Sequence, residues 1–127
     1  MTTIRIALLD ADPVIAAGKR SILDSQPDFM VVYEQGDALL AIVELPEQLV
    51  DVVVLDVRLR GLDGLVTAAR LTSAFDQSNQ LSPKFVITAA YRSQELEVKA
   101  REVGITSLVS AAELGEKLVD SVRGSLS

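Results

Sequence analysis

Short apolar runs alternate with amphipathic segments along the whole chain. Runs with the length and composition of buried strands lie at residues 4–9, 30–33, 51–55, 85–88 and 107–110. Each is followed by apolar residues at helical spacing, at 14–25, 37–45, 65–73, 93–103 and from 114 onward. The alternation predicts five strands and five helices in strict succession.

This succession favours an α/β fold with a parallel sheet, because each parallel pair needs a crossover connection and crossovers are right-handed. Helices then cover both faces of the sheet, which gives a flavodoxin-like three-layer sandwich with the strand order 2-1-3-4-5. Such sheets bind ligands outside the carboxyl ends of their strands. The polar residues at those ends are Asp10, Asp12, Asp56 and Thr88.

The first predicted helix has one apolar stripe. Ile15, Gly18 and Ile22 recur at helical spacing, whereas Lys19 and Arg20 are displaced from that stripe. We therefore expect the stripe to pack on the sheet and the charged residues to lie away from it.

The composition limits the chemistry that is available. The 127 residues, 49% of them apolar, suffice for one domain spanning 1–127. The chain has no cysteine and no histidine, so any chemistry must use carboxylates and hydroxyls. A formal charge of −6 without a basic stripe argues against direct nucleic-acid binding by this segment. No stretch approaches the ~20 apolar residues of a membrane span and no signal peptide is evident, so we expect a cytoplasmic location.

Three of the polar strand ends belong to neighbouring strands in this order. The side chains of Asp10, Asp56 and Thr88 can therefore converge. Clustered carboxylates repel one another and are often held together by a divalent cation such as Mg²⁺, which prefers oxygen ligands. One carboxylate of such a cluster can attack a phosphoryl group as a nucleophile.

Four segments, at 4–18, 51–64, 85–88 and 104–110, resemble the landmarks of response-regulator receiver domains, especially those of LuxR/NarL-type transcriptional regulators. The segment at 51–64 contains the run Val-Val-Val-Leu-Asp-Val-Arg-Leu-Arg-Gly-Leu-Asp-Gly, in which the first Asp is Asp56. The resemblance implies that Asp56 is the phosphoacceptor and that Thr88 is the hydroxyl that senses the phosphoryl group. It also implies Mg²⁺ at Asp10, Asp12 and Asp56.

The same resemblance implies a set of partners. A histidine kinase or a small phosphodonor would supply the phosphoryl group, and the domain would form a homodimer and would not itself be an enzyme. DNA would be bound through a C-terminal helix-turn-helix domain of a longer regulator, outside this chain. Val119, Val122 and Leu126 suit a dimer surface, although their helical spacing equally suits core packing.

The sequence departs in three places from the pattern that the resemblance implies. Ala11 stands where the second residue of an acidic pair is expected, and Ala111 stands near where a lysine should follow the fifth strand. The loop after Asp56 has Leu59-Arg60 in place of Met-Pro, and Arg60 compensates for the lysine only if the loop folds inward. Two interpretations stay open: a working phospho-switch with weakened Mg²⁺ binding, or an atypical receiver that serves as a dimerisation or docking module without phosphate.

Asp12 has two further interpretations. Asp before a helix is a common N-cap, so capping competes with metal binding. The run at 10–14 also matches the short motif of haloacid-dehalogenase-type phosphatases, with Asp10 and Asp12 as the catalytic pair. Those enzymes need a downstream lysine and a further acidic pair after a strand, and neither follows a strand after Gly104. A phosphatase is therefore the lesser alternative.

Overall fold

Five parallel strands form one sheet in the computed structural model, which describes residues 2–105 and 107–127. Met1 and Thr106, which belong to the predicted domain 1–127, lie outside the described residues. The strands are β1 (Ile4–Leu9), β2 (Phe29–Gln35), β3 (Val52–Asp56), β4 (Lys84–Ala89) and β5 (Ser107–Ser110). Their order is β2-β1-β3-β4-β5, which confirms the predicted fold class and strand order.

Helices connect the strands and cover both faces of the sheet. They are α1 (Pro13–Asp24), α2 (Ala38–Glu44), α3 (Gly64–Gln77), α4 (Gln94–Glu102) and α5 (Leu114–Ser125), with single 3₁₀ turns at Leu45–Glu47 and Ala111–Glu113. The helices α1 and α5 pack on one face, and α2, α3 and α4 pack on the other. None of the helices in the described part of the chain is long and apolar enough to cross a membrane.

The central strand β3 is buried along its whole length. Its side chains alternate, so that Val52 and Val54 face the core beneath α1 and α5. Val53 and Leu55 face the core beneath the other three helices. A strand enclosed on both faces needs apolar side chains throughout, and this run supplies them. Its last residue, Asp56, is thereby placed at the carboxyl edge of the sheet.

The buried face of α1 differs from the predicted one. Its buried residues are Lys19 and Leu23, whereas Ile15 is 38% exposed and Gly18 is also exposed. Ile22, the third residue of the predicted stripe, does pack against the core. For Ile15, Gly18 and Lys19 the prediction was wrong, because it treated Lys19 as a surface residue on account of its charge.

The helix α3 is longer than predicted, and the connection after it is shorter. It continues to Gln77 instead of ending near Ser73, because Phe75 remains on its buried face with 1% exposure. The polar connection is thus reduced to residues 78–83, where Asn79 adopts a positive φ of 56°. Its length falls within the range usual for α/β loops.

We predict that Gly64→Ala destabilises the domain by disturbing the loop between β3 and α3. A Cβ at Gly64 would lie 2.2 Å from the backbone oxygen of Asp56, so the segment that carries Asp56 would have to move. Gly18→Ala is the matched control, because a Cβ there meets nothing within 4 Å and should stabilise helix α1 by about 0.5–1 kcal/mol. Urea unfolding measures both effects, and a Gly64→Ala protein as stable as the wild type would contradict the prediction.

Candidate functional site

The strand ends bring Asp10, Asp56 and Thr88 to one point. Asp56 and Thr88 are partners across the β3–β4 pair, and Asp10 follows a β1 residue that pairs with β3. All three residues are buried, with exposures of 9%, 9% and 1%. Thr88 Oγ1 donates a hydrogen bond of 2.8 Å to Asp56 Oδ1. The structure therefore places these three predicted residues together.

A fourth side chain, Lys19 of α1, lies at the centre of this group. Its Nζ is 2.5 Å from Asp10 Oδ2, 3.2 Å from Asp56 Oδ1 and 2.5 Å from Thr88 Oγ1. An ammonium group has three hydrogens and no acceptor, so three partners satisfy it completely. The side chain is only 1% exposed. We call these four residues the Lys19 cluster.

Backbone N–H groups bind the remaining carboxylate oxygens of the Lys19 cluster. Asp10 Oδ1 accepts a hydrogen bond of 2.9 Å from the N–H of Asp12, and Asp56 Oδ2 accepts one of 3.0 Å from the N–H of Arg58. Among residues 2–105 and 107–127, no buried side-chain nitrogen or oxygen lacks a partner. Each carboxylate is thus held through both oxygens, one by the loop backbone and the other by the ammonium group.

Sequence reasoning missed Lys19 because lysine is rarely fully buried. Its spacing along the helix is the signal that could have indicated its burial. Lys19 lies three residues after Ala16 and four before Leu23, so it shares a helix face with both. Side chains on a helix also lean toward its N-terminus, which directs a long side chain in the second turn back to the strand end at Asp10.

The predicted magnesium ligands do not form a metal site with one another. Asp12 Oδ1 caps α1 by accepting from its first free N–H groups, at 2.9 and 3.2 Å, and position 11 has no carboxylate. Asp10 Oδ2 and Asp56 Oδ1 both contact the Lys19 ammonium, so neither oxygen is free for a metal ion without displacing it. In the described part of the chain, no group of three or more His, Cys, Asp or Glu side chains is arranged to hold a metal ion. The residues present therefore do not fit Mg²⁺ at this position.

The end of β5 has a capping box where the resemblance implies a lysine. Ser110 closes the strand, and Glu113 reaches back to accept from its N–H at 3.1 Å and from its hydroxyl at 2.9 Å. Lys117 Nζ lies 2.6 Å from Glu113 Oε2. The hydrogen bond from Lys117, followed by those from Ser110, lowers the pKa of Glu113 to about 2. The next lysine after Ala111 is therefore paired with Glu113.

The side chain of Arg60, the predicted substitute for that lysine, lies over Gly36. A Cβ built at Gly36 would be 2.8 and 3.0 Å from the two terminal guanidinium nitrogens. The Arg60 N–H donates to the Gly36 carbonyl at 3.0 Å, and the Ala38 N–H donates to the Arg60 carbonyl at 2.9 Å. The loop is thus tied to the connection between β2 and α2, and the cation in the cluster comes from α1 instead.

Two cavities border the Lys19 cluster. An open one of about 430 Å³ is lined by Asp10, Ala11, Asp12, Pro13, Ile15, Asp56 and Arg58. A second one, of only about 50 Å³, is bordered by Lys19, Asp56 and Thr88 among others.

Two of the α5 residues considered for a dimer surface pack in the core of this chain. Val122 is fully buried, and Val119 packs against the same apolar cluster. Leu126 is 42% exposed. Core packing, the interpretation left open above, is therefore the one observed for Val119 and Val122.

Comparison with known proteins points to one family. The family model described as the response regulator receiver domain matches residues 6–123. The uncharacterized transcriptional regulatory protein YxjL of Bacillus subtilis is 28% identical over 120 residues, which cover 94% of this chain and 53% of YxjL. This chain thus spans about half the length of that relative.

Solved structures agree with this match. A LuxR-family two-component response regulator from Aurantimonas sp. SI85-9A1 superposes with a TM-score of 0.87 at 26% identity, over 98% of this chain and 86% of the other. The response regulator ChrA of a heme-sensing two-component system superposes with a TM-score of 0.77 at 30% identity, over 99% and 58% of the two chains. The alternative of a haloacid-dehalogenase-type phosphatase is not supported by these matches.

We predict that Lys19→Met destabilises the domain by about 3–5 kcal/mol, because it leaves two buried carboxylates without their counter-ion. Adding Asp10→Asn should recover part of the loss, since it removes one charge and keeps an oxygen for the Asp12 N–H. Urea unfolding of Lys19→Met, Asp10→Asn and the double variant measures the coupling free energy between the two residues. Lys117→Met removes a 55% exposed lysine and should change stability by less than about 1 kcal/mol. Similar losses for both lysine variants would refute a special role for Lys19.

We also predict that Glu113→Gln flattens the acid dependence of stability. Folding lowers the pKa of Glu113 from its ordinary 4.5 to about 2, so its ionised form contributes stability that is fully present above pH 4.5. This contribution is lost as the pH falls from 4.5 to about 2, and glutamine cannot make it at any pH. Thermal unfolding at a series of acidic pH values tests this, and parallel curves for the two proteins would disprove it.

Proposed function

The chain belongs to the response-regulator receiver family, and we propose that it is the regulatory part of a longer transcriptional regulator that works without phosphorylation of Asp56. The observation that carries this proposal is the Lys19 cluster. A buried ammonium group there takes up the side-chain oxygens of Asp10, Asp56 and Thr88 that face one another. The ammonium group therefore holds both the predicted phosphoacceptor and the predicted sensing hydroxyl.

Asp56 is a poor nucleophile in this arrangement. Its Oδ1 accepts from Lys19 and Thr88, and its Oδ2 accepts from the N–H of Arg58. Hydrogen bonds to the charged form stabilise a carboxylate and so reduce its tendency to attack.

The lysine that the resemblance implies after β5 is replaced in this chain. Phosphoryl transfer depends on positioned positive charge that neutralises the phosphoryl oxygens. All three hydrogens of the Lys19 ammonium are already engaged, and Ala111 stands near the place of the expected lysine.

A working phospho-switch is the second candidate, and the position of Lys19 is the observation that favours it. The ammonium touches both Asp56 and Thr88, so it could transfer its hydrogen bonds to a phosphoryl group on Asp56. Asp10 would then lose its contact of 2.5 Å, although its side chain is only 3% exposed. Leaving that carboxylate uncompensated is costly, and the first candidate is therefore better supported.

The longer protein forms the second part of the proposal. YxjL, whose printed name is that of a transcriptional regulatory protein, extends well beyond the matched region. The charge of −6 on this chain is unsuited to a phosphate backbone, so we assign DNA binding to a further domain. The receiver would act through protein contacts, with a second copy as its partner, and would need no histidine kinase or small phosphodonor.

We predict that acetyl phosphate and Mg²⁺ leave the mass of the purified chain unchanged, because three hydrogen bonds stabilise the Asp56 carboxylate and the Lys19 ammonium is already engaged. Backbone NMR spectra with a beryllofluoride mimic should likewise show no shifts centred on Asp56 and Thr88. Asp56→Asn is the control for labelling at other sites. A mass increase of one phosphoryl group in the wild type that disappears in Asp56→Asn would overturn the proposal and establish the second candidate.

A further inference from the structure

We infer that the Lys19 ammonium is a built-in replacement for a divalent cation and that it excludes Mg²⁺ from Asp10 and Asp56. This inference deepens the proposed function, since it concerns the same cluster, but it is a statement about metal binding and can fail separately. Two of the carboxylates that a magnesium ion would need are already bound to an ammonium group, and position 11 has no carboxylate.

The ammonium group fills the position between the two carboxylate oxygens that it contacts. A cation bridging Asp10 Oδ2 and Asp56 Oδ1 would take the place of Lys19 Nζ, which lies 2.5 and 3.2 Å from these atoms. Mg²⁺ demands near-octahedral geometry and usually keeps several of its waters. The Lys19 ammonium occupies the space between the two oxygens, so metal and ammonium cannot be bound there together.

The charge balance of the cluster also opposes a magnesium ion beside Lys19. Asp10 and Asp56 with Lys19 sum to −1, so the ammonium already compensates one of the two carboxylates. A magnesium ion added beside Lys19 would turn this sum to +1 and place two cations close together in a poorly solvated site, where their repulsion is strong. Ala11 offers no further carboxylate to offset that repulsion.

Lys19 is tethered to the cluster by the helix α1. Its side chain is 1% exposed and belongs to a helix face that includes the buried Leu23. A tethered group competes with free ions at an effective concentration that free ions reach only with difficulty. Releasing the ammonium would also leave it buried without its three acceptors, or would require α1 to move. Magnesium at ordinary concentrations should therefore fail to displace it.

The test is a metal titration of this chain, with Mg²⁺ followed by calorimetry and Mn²⁺ followed by paramagnetic broadening of backbone NMR signals. The wild type should show no broadening centred on Asp10 and Asp56. Lys19→Met should gain that broadening and bind at least about tenfold more tightly. Combining it with Ala11→Asp, which restores a carboxylate, should tighten binding further.

Matched variants control for charge and for folding. Lys19→Arg keeps a cation at the end of a long side chain and should stay free of metal, and Lys117→Met should behave as the wild type. Asp10→Asn in the Lys19→Met background should abolish the gain. If Lys19→Met does not fold, Lys19→Gln replaces it, and broadening centred on Asp10 and Asp56 in the wild type contradicts the inference without any variant.

The outcomes separate the two proposals. Broadening at Asp10 and Asp56 in the wild type, or a folded Lys19→Met protein that gains no metal binding, would overturn the inference. Phosphorylation of Asp56 that proceeds equally with an excess of chelator would overturn the proposed function and leave the inference standing. A wild type free of metal, with a gain in Lys19→Met that Asp10→Asn removes, would establish it.

Discussion

Two carboxylates that repel each other must be accommodated where β1 and β3 end side by side. In this chain the Lys19 ammonium separates them, and it bonds to both and to Thr88 of the next strand. Burying charge is unfavourable unless every charge is paired and hydrogen-bonded, and here each oxygen that faces inward has its partner. The contact links α1 to three strands of the sheet, so the edge of the sheet and the position of that helix depend on each other.

The rest of the fold sets the conditions under which this contact can form. The Asp12 cap fixes where α1 begins, and Leu23 anchors its other end in the core, so both ends of the helix that carries Lys19 are held. The N–H of Asp12 also binds Asp10 Oδ1, which joins the start of the helix directly to the cluster. At the end of β3, Gly64 lets α3 begin against the backbone of Asp56.

Apolar patterning predicted the architecture well because a parallel sheet covered on both faces requires uninterrupted apolar strands, and the run before Asp56 is unmistakable. The meeting of Asp10, Asp56 and Thr88 followed from strand order alone. Lys19 could not be found in the same way, since its charge placed it on the polar side of the helical pattern, and only tertiary packing shows that its ammonium is neutralised. The interpretation of Asp12 was ambiguous for a similar reason, because the same carboxylate that suits a metal ion also suits a helix N-terminus.

The departures from the family pattern are best understood as one coupled change. With Ala11 in place of a carboxylate, the cluster has less negative charge to hold a divalent ion, and a single ammonium group compensates what remains. That ammonium reaches Asp56 and Thr88 from α1, so a lysine after β5 would bring a second cation beside it, and Ala111 avoids that repulsion. The occupancy of a metal site depends on the concentration of the metal ion, whereas a tethered lysine is always present. The charge balance of the cluster is therefore permanent, and under the proposed function signals reach this domain through contacts on its surface.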